Sequence, residues 1–230
     1  MNPTPEKTSV MAPFILMLFL YFIVGLFTVI NQQFQVPLKS ALLPHDGNMT
    51  NALVTLLNFS WFLAYPFSEG FATRWVDRLG YRKTSVYSLL IFIAGLGFYE
   101  AAVLLHIYAP SYITIMGNPI FTGFFVFLSG SFVIGMAVTI LQVVTGLYLD
   151  VNPVGKTTPL QRQMIGGTTN SIGMAIGPLV VSYIIFYGIP LHNVQSREFI
   201  WPVICLIAII CIFTLITARI KMPIIAIRQI

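Results

Sequence analysis

Six long apolar segments dominate this sequence and restrict the folds that are open to it. They run over residues 11–36, 51–76, 84–107, 120–149, 161–188 and 199–220. Each is long enough to cross a bilayer as a helix, which needs about 20 apolar residues. Only 8% of the residues are charged, against about 25% in soluble domains. The sequence predicts an all-α polytopic membrane protein, a single bundle of six transmembrane helices over residues 1–230.

Basic residues are divided unequally between the two sides that six crossings would define. With the N-terminus inside, the inner segments hold Lys7, Arg74, Arg78, Arg82, Lys83, Lys156, Arg162, Arg219, Lys221 and Arg228, and the outer segments hold only Lys39 and Arg197. Cytoplasmic loops carry the excess of Lys and Arg. We therefore expect both termini in the cytoplasm and the chain in a bacterial inner membrane. The net charge of +5 is then a topology signal, and no nucleic-acid partner is expected.

A tight, charged turn joins the second and third segments. It reads Thr73-Arg-Trp-Val-Asp77-Arg78-Leu-Gly80-Tyr-Arg82-Lys83. A small residue, an Asp-Arg pair, a glycine and a basic pair thus follow one another at the inner membrane boundary.

Polar side chains form stripes inside three of the apolar segments. The first helix carries Thr28, Asn31, Gln32 and Gln35, at a spacing that puts all four on one face. Ser131, Gly135, Thr139, Gln142 and Gly146 share a face of the fourth helix, and Gly166, Asn170, Gly173 and Gly177 share one of the fifth. Such residues serve either solute binding or the packing of helices. Packing is the favoured interpretation for Gly173 and Gly177.

The large amides on these stripes are the candidate solute-binding residues. Because Asn and Gln both donate and accept hydrogen bonds, they suit an uncharged polar solute such as a sugar. We expect Asn31, Gln142 and Asn170 to face a common cavity, with Thr28 and Gln35 as secondary contacts.

Glu69 is the deepest acid of the second segment. It lies eight residues before Asp77, about 12 Å deeper along the helix. An ionised acid at that depth costs about 2.5–3.5 kcal/mol. We expect Glu69 to be buried and either paired with a base on another helix, which is the favoured interpretation, or protonated.

Little in the sequence indicates an enzyme or a channel. His45, His106 and His192 fall in loops or at helix ends without metal-ligand spacing, and no intramembrane Ser–His pair is expected. The sequence has no phosphate-binding loop for ATP and no paired Asn-Pro-Ala loops. We therefore expect neither catalysis nor a metal or cofactor.

The charged turn resembles the signature loop of the major facilitator superfamily of secondary transporters. The run from Gly25 to Lys39 resembles the first helix of its fucose–galactose–hexose/proton symporter family, and Thr139–Thr145 resembles the fourth-helix motif. The resemblance implies the N-terminal half of a twelve-helix transporter that moves a sugar by alternating access. It also implies a conformational-control role for the turn residues Asp77, Arg78, Gly80, Arg82 and Lys83.

The chain departs from that family in two ways. Thr28 and Gln142 are neutral where the family has acids tied to proton coupling, so proton coupling, sodium coupling and uncoupled transport all stay open. The sequence also ends after the sixth segment, so a second six-helix half is expected as a separate chain, a missing C-terminal half or a second copy. The alternatives are a non-transporting remnant or regulatory subunit, and a channel-like or other membrane protein.

Overall fold

The computed structural model describes residues 10–43, 48–115 and 117–222; Lys7, His45 and Arg228 lie outside these ranges. Its α-helices are α1 Met11–Gln33, α2 Gln35–Leu42, α3 Asn48–Tyr108, α4 Gly123–Val151, α5 Pro159–Leu179 and α6 Ile200–Arg219. Strands β1 Tyr112–Ile115 and β2 Asn118–Phe121 form an antiparallel hairpin. Five helical segments are long and apolar enough to cross a membrane, which confirms the prediction of a helical membrane protein.

The longest helix, α3, folds back on itself at Gly80. This residue has φ 77° and ψ 167°, a non-helical conformation inside a 61-residue helical segment. Asn58 and Tyr99 both hydrogen-bond to the Asn31 side chain, although a straight helix would hold them about 60 Å apart. The two halves of α3, residues 48–79 (α3a) and 81–108 (α3b), therefore lie side by side.

Helix α4 packs against both halves of α3 through small residues. A Cβ atom on Gly135 would lie 2.6 Å from the Trp61 carbonyl oxygen of α3a, and one on Gly130 would lie 3.0 Å from the Gly95 carbonyl of α3b. Large aromatic side chains fill the core between these helices; the fully buried ones include Trp61, Phe92, Phe124, Phe127 and Tyr148. Helix α5 packs mainly against α1, and α6 packs mainly against α3.

The bundle has two distinct ends. At one end, which we call the turn end, Tyr81 beside Gly80 makes an edge-to-face ring contact with Tyr148 of α4. The opposite end, the hairpin end, holds the β-hairpin, α2 and the short 3₁₀ helices Leu191–Asn193 and Ser196–Phe199. There Ser196 bonds to the Ala41 carbonyl and to His106, tying α2, α3b and the last loop together.

The hairpin corrects the predicted start of the fourth helix. Residues 120–149 were expected to be helical, but Ile120 and Phe121 belong to β2, and α4 begins at Gly123. The strands are rich in β-branched residues, and Gly117 in their connection has φ 81°, a conformation that glycine adopts without steric cost. The apolar run at 120 thus contains the end of a strand and the beginning of a helix.

Two prolines shape the ends of the other helices. The predicted helix 11–36 divides at Phe34, and α2 continues to Leu42; Pro37 has no N–H to bond the carbonyl four residues earlier. Pro178 lies near the end of α5, after which Val180–Ile185 forms a π-helix, the local rearrangement that often accompanies a disrupted ladder. The sixth helix begins as the 3₁₀ turn Ser196–Phe199 and ends at Arg219, close to the predicted 199–220.

Replacing Gly80 by alanine should destabilise the fold by about 1–3 kcal/mol, because its backbone conformation is almost restricted to glycine. Apart from its chain neighbours, no described residue stands within 4 Å of the added Cβ, so the effect would come from the backbone alone. The control is Gly97→Ala, which lies in the helical part of α3b with equally open surroundings and should be neutral or stabilising by up to about 1 kcal/mol. Reversible unfolding in mixed detergent micelles measures both, and equal effects would contradict the expectation.

Candidate functional site

The Asn31 side chain lies at the centre of a buried hydrogen-bond network. Its Nδ2 donates to Asn58 Oδ1 at 3.3 Å, and its Oδ1 accepts from the Tyr99 hydroxyl at 3.1 Å. The Ser131 hydroxyl lies 3.0 Å from the same Oδ1 and 3.1 Å from the Leu57 carbonyl oxygen. One amide thus connects α1, both halves of α3 and α4.

This network uses most of the bonding capacity of Asn31. Its oxygen has two acceptor sites, both within reach of donors, and one of its two N–H groups is used. Asn31 is 3% exposed, and the Tyr99 ring is held by a parallel stack on Phe127 with 3.7 Å between ring centroids. In this conformation Asn31 joins helices, and one of its N–H groups has no partner among the described residues.

Asn170 also connects helices. Its Nδ2 donates to the Tyr21 carbonyl oxygen of α1 at 3.0 Å. A Cβ atom on Gly25 would overlap the Asn170 carbonyl, and one on Gly173 would overlap the Phe22 carbonyl. The expected packing role of Gly173 and Gly177 is confirmed, since added Cβ atoms at both would collide with α1.

Of the three amides expected to face a common cavity, Gln142 is the one whose side chain the fold does not use. Its side chain is half-buried on α4, and among the described residues it has no hydrogen-bond partner. Thr28, by contrast, is buried and donates to the Val24 carbonyl of its own helix at 2.8 Å. No hydrogen bond joins any two of Asn31, Gln142 and Asn170 within the described ranges, so their common cavity stays a prediction.

Gln35 lines a separate cavity of about 620 Å³ at the hairpin end. The cavity lies between α2, the beginning of α3a and the Leu191–Asn193 turn, and its polar lining includes Ser40, Asn51, Thr55 and His192. The Ser40 hydroxyl donates to the His192 carbonyl at 2.6 Å, which fixes one wall. Sequence reasoning identified Gln35 but not its neighbours, because they come from three separate elements.

Glu69 is not buried, contrary to expectation. It is exposed on the surface of α3a, and none of the described basic residues forms an ion pair with it. The reason is the face on which it lies: the buried side chains Trp61, Ala64, Ser68, Ala72 and Val76 form the stripe that packs on the bundle, and Glu69 falls outside it. Of the acids on α3, Glu100 has a buried oxygen, Oε2, without a hydrogen-bond donor in the described part of the chain.

The charged turn is open to the surroundings at its charged side chains, whereas Val76 and Tyr81 are buried. Asp77, Arg78, Arg82 and Lys83 are exposed and form no ion pair with any described residue. The Thr84 hydroxyl donates to the Gly80 carbonyl at 2.9 Å, a bond within the first turn of α3b. The charges of the turn are therefore free to contact another protein surface.

Arg162 beside this turn is a buried cation that sequence reasoning did not single out for a structural role. It is 3% exposed and donates from Nε to the Leu149 carbonyl at 2.6 Å, from Nη2 to Asp150 at 2.7 Å and from Nη1 to Thr157 at 2.8 Å. The Leu149 and Asp150 carbonyls lie at the end of α4, where the helix dipole favours a cation, and the Thr157 carbonyl lies in the loop before α5. The capping box of Thr158 and Gln161 was the available signal that α5 begins here.

No protein-family model, curated protein or solved structure matches this chain. The interpretation of the site therefore depends on its own geometry. Among the described residues no three His, Cys, Asp or Glu side chains are grouped so that they could hold a metal ion.

One Ser–His pair does exist, at the hairpin end, although none was expected. The Ser196 Oγ lies 2.8 Å from His106 Nδ1 and 3.0 Å from the Ala41 carbonyl oxygen, to which it donates. A hydroxyl has a single hydrogen, so while Ser196 donates to the Ala41 carbonyl, a bond to His106 requires the Nδ1 nitrogen to be the donor. This arrangement holds α2 and α3b together.

Proposed function

We propose that this chain is the N-terminal six-helix half of a secondary transporter of the major facilitator type. The fold-back of α3 at Gly80 supports this most directly, because it divides one of five apolar helical segments into two potential crossings. The reversal occurs inside the charged sequence that resembles the superfamily's signature loop. Six crossings with both termini on one side follow from the proposal.

The distribution of charge supports a cytoplasmic turn end. Most basic residues of the described chain lie toward that end, namely Arg74, Arg78, Arg82, Lys83, Lys156, Arg162, Arg219 and Lys221. Lys39 and Arg197 belong to the hairpin end. By the positive-inside rule, the hairpin end and its cavity face outward, and Asp77 and its neighbours act in conformational control at the inner boundary.

The solute that we propose is uncharged and polar, with a sugar as the expected class. Gln142 and Gln35 offer amide groups that the fold does not use, and amides pair well with hydroxyl groups. Asn31 and Asn170 would join them only when the helices move, because their present bonds are interhelical. A second six-helix half, supplied by another chain, by further sequence or by a second copy, completes the transport pathway.

The test is solute exchange in proteoliposomes that contain the complete assembly, the chain together with its second six-helix half. We expect counterflow of labelled L-fucose, D-galactose or D-glucose, and a loss of about two- to tenfold in Gln142→Ala, the effect of one hydrogen bond of about 0.5–1.5 kcal/mol. Gln33→Ala is the matched control, since Gln33 ends α1 and belongs to no proposed site. A Gln142 variant that exchanges sugar as fast as the wild type would remove Gln142 from the solute pathway.

The alternative functions give different results in the same preparation. A non-transporting remnant or regulatory subunit would insert and fold without any exchange, and a channel-like protein would pass solute without saturation. Reporter fusions at Lys156 and His192 test the topology independently, because six crossings put the first inside and the second outside. Both reporters on the same side would refute the proposed arrangement.

A further inference from the structure

The cavity at the hairpin end has the dimensions of a small-molecule site. Its volume of about 620 Å³ falls within the range of about 300–1,000 Å³ typical of ligand pockets. Residues from α2, from the beginning of α3a and from the Leu191–Asn193 turn form its walls. The Ser40–His192 hydrogen bond ties the first and last of these elements together.

The polar groups around this cavity are available for a ligand. The Gln35 and Asn51 amides and the His192 ring have no hydrogen-bond partner among the described residues, unlike the committed amides of Asn31 and Asn170. The Ser40 and Thr55 hydroxyls donate to the backbone carbonyls of His192 and Asn51, and each keeps its lone pairs for an incoming donor. Uncommitted donors and acceptors therefore converge on one space.

The remaining lining favours a neutral ligand. Val36, Leu43 and Val54 contribute apolar surface that suits the C–H face of a ring. Lys39 also lines the cavity, but it is already engaged in an interaction within the chain. Amides and hydroxyls make up four of the six polar side chains given for the lining, which suits hydroxyl groups that donate and accept in turn.

We propose that this cavity is an outer binding subsite for a neutral, polyhydroxylated solute of monosaccharide size, held by Gln35 and Asn51. The inference deepens the proposed function, since the solute bound here is the one transported. The solute would bind first in this subsite at the hairpin end and contact Gln142 later. The Ser40–His192 hydrogen bond holds α2 against the Leu191–Asn193 turn on one side of the cavity.

The experiment is equilibrium binding of labelled L-fucose, D-galactose and D-glucose to the purified chain, with D-glucuronate as the charged probe. The double variant Gln35→Ala/Asn51→Ala should weaken binding of the bound neutral sugar by about tenfold or more, as expected for two lost hydrogen bonds. The control is Gln33→Ala/Asn193→Ala, which removes one Gln and one Asn near the same end that do not line the cavity. The control should bind like the wild type.

Three results would overturn the subsite: equal affinity in the double variant, no binding of any neutral sugar, or tighter binding of glucuronate than of the neutral sugars. Exchange in proteoliposomes separates this inference from the proposed function. Binding that depends on Gln35 and Asn51 without any exchange keeps the subsite and refutes transport. Exchange that depends on Gln142 with unchanged binding in the double variant keeps transport and refutes the subsite.

Discussion

Replacing Arg162 by methionine is expected to lower the free energy of unfolding by about 3 kcal/mol or more. The side chain is 3% exposed and donates three hydrogen bonds of 2.6–2.8 Å to backbone carbonyls. Hydrogen bonds that involve a charged group contribute about 1.5–3 kcal/mol each, although not additively. Methionine preserves the apolar stem but leaves the carbonyls at the end of α4 without their donors.

The loss of stability should arise from the junction of α4 and α5. Arg162→Lys is expected to recover only part of the stability, since one ammonium cannot reproduce the planar fork of a guanidinium. Arg82→Met is the matched control, because Arg82 is exposed and no hydrogen bond or ion pair of its side chain is found among the described residues. Detergent unfolding followed by circular dichroism gives the comparison. Equal stability of the Arg162 and Arg82 variants would show that the carbonyl contacts do not stabilise the fold.

Replacing Gly173 by alanine should destabilise the protein by about 1–3 kcal/mol, the usual cost of overpacking. The added Cβ would overlap the Phe22 carbonyl oxygen and lie 3.0 Å from the Leu26 nitrogen. Both atoms belong to the backbone of α1, so no side-chain rotation relieves the overlap. Helices α1 and α5 would have to separate.

Gly167→Ala on the same helix should instead raise the free energy of unfolding. No atom outside the helix lies within 4 Å of its added Cβ, and alanine favours a helix over glycine by about 0.5–1 kcal/mol. The pair therefore separates the effect of contact from the effect of helix propensity. The same unfolding titration measures both variants. A stabilised Gly173→Ala variant would mean that α1 and α5 do not pack as closely as described.

The sequence predicted best the features that depend on local pattern. Apolar length identified the membrane helices, and Gly80 within the charged turn indicated where the chain would reverse. The spacing of Gly173 and Gly177 indicated a packing face, which the overlap of their added Cβ atoms with α1 confirms. In each case the property is carried by neighbouring residues, so no knowledge of other helices was needed.

Features that depend on which helix faces which could not be predicted. The sequence identified the polar face of α1 that contains Asn31. It did not indicate whether that face contacts water or the Tyr99 and Ser131 side chains of distant helices. The position of Glu69 along α3a follows from the sequence, whereas its exposure depends on the side of α3a that packs. The sequence did not indicate that Asn51 and His192 line the same cavity as Gln35. These residues belong to α3a, the last loop and α2, which are distant in sequence and come together only in the fold.

The Asn31 network has a consequence for biosynthesis. Asn31 and Ser131 are separated by 100 residues, which a ribosome adding about 5–20 residues per second synthesises in about 5–20 s. If helices enter the membrane as they are made, Asn58 and Tyr99 follow Asn31 after 27 and 68 residues, and the partner from α4 is missing for the whole interval. A polar group in hydrocarbon without partners is costly. Helix α1 would therefore be more stable beside the translocation machinery until α4 emerges, and Asn31 would couple its release to the synthesis of α4.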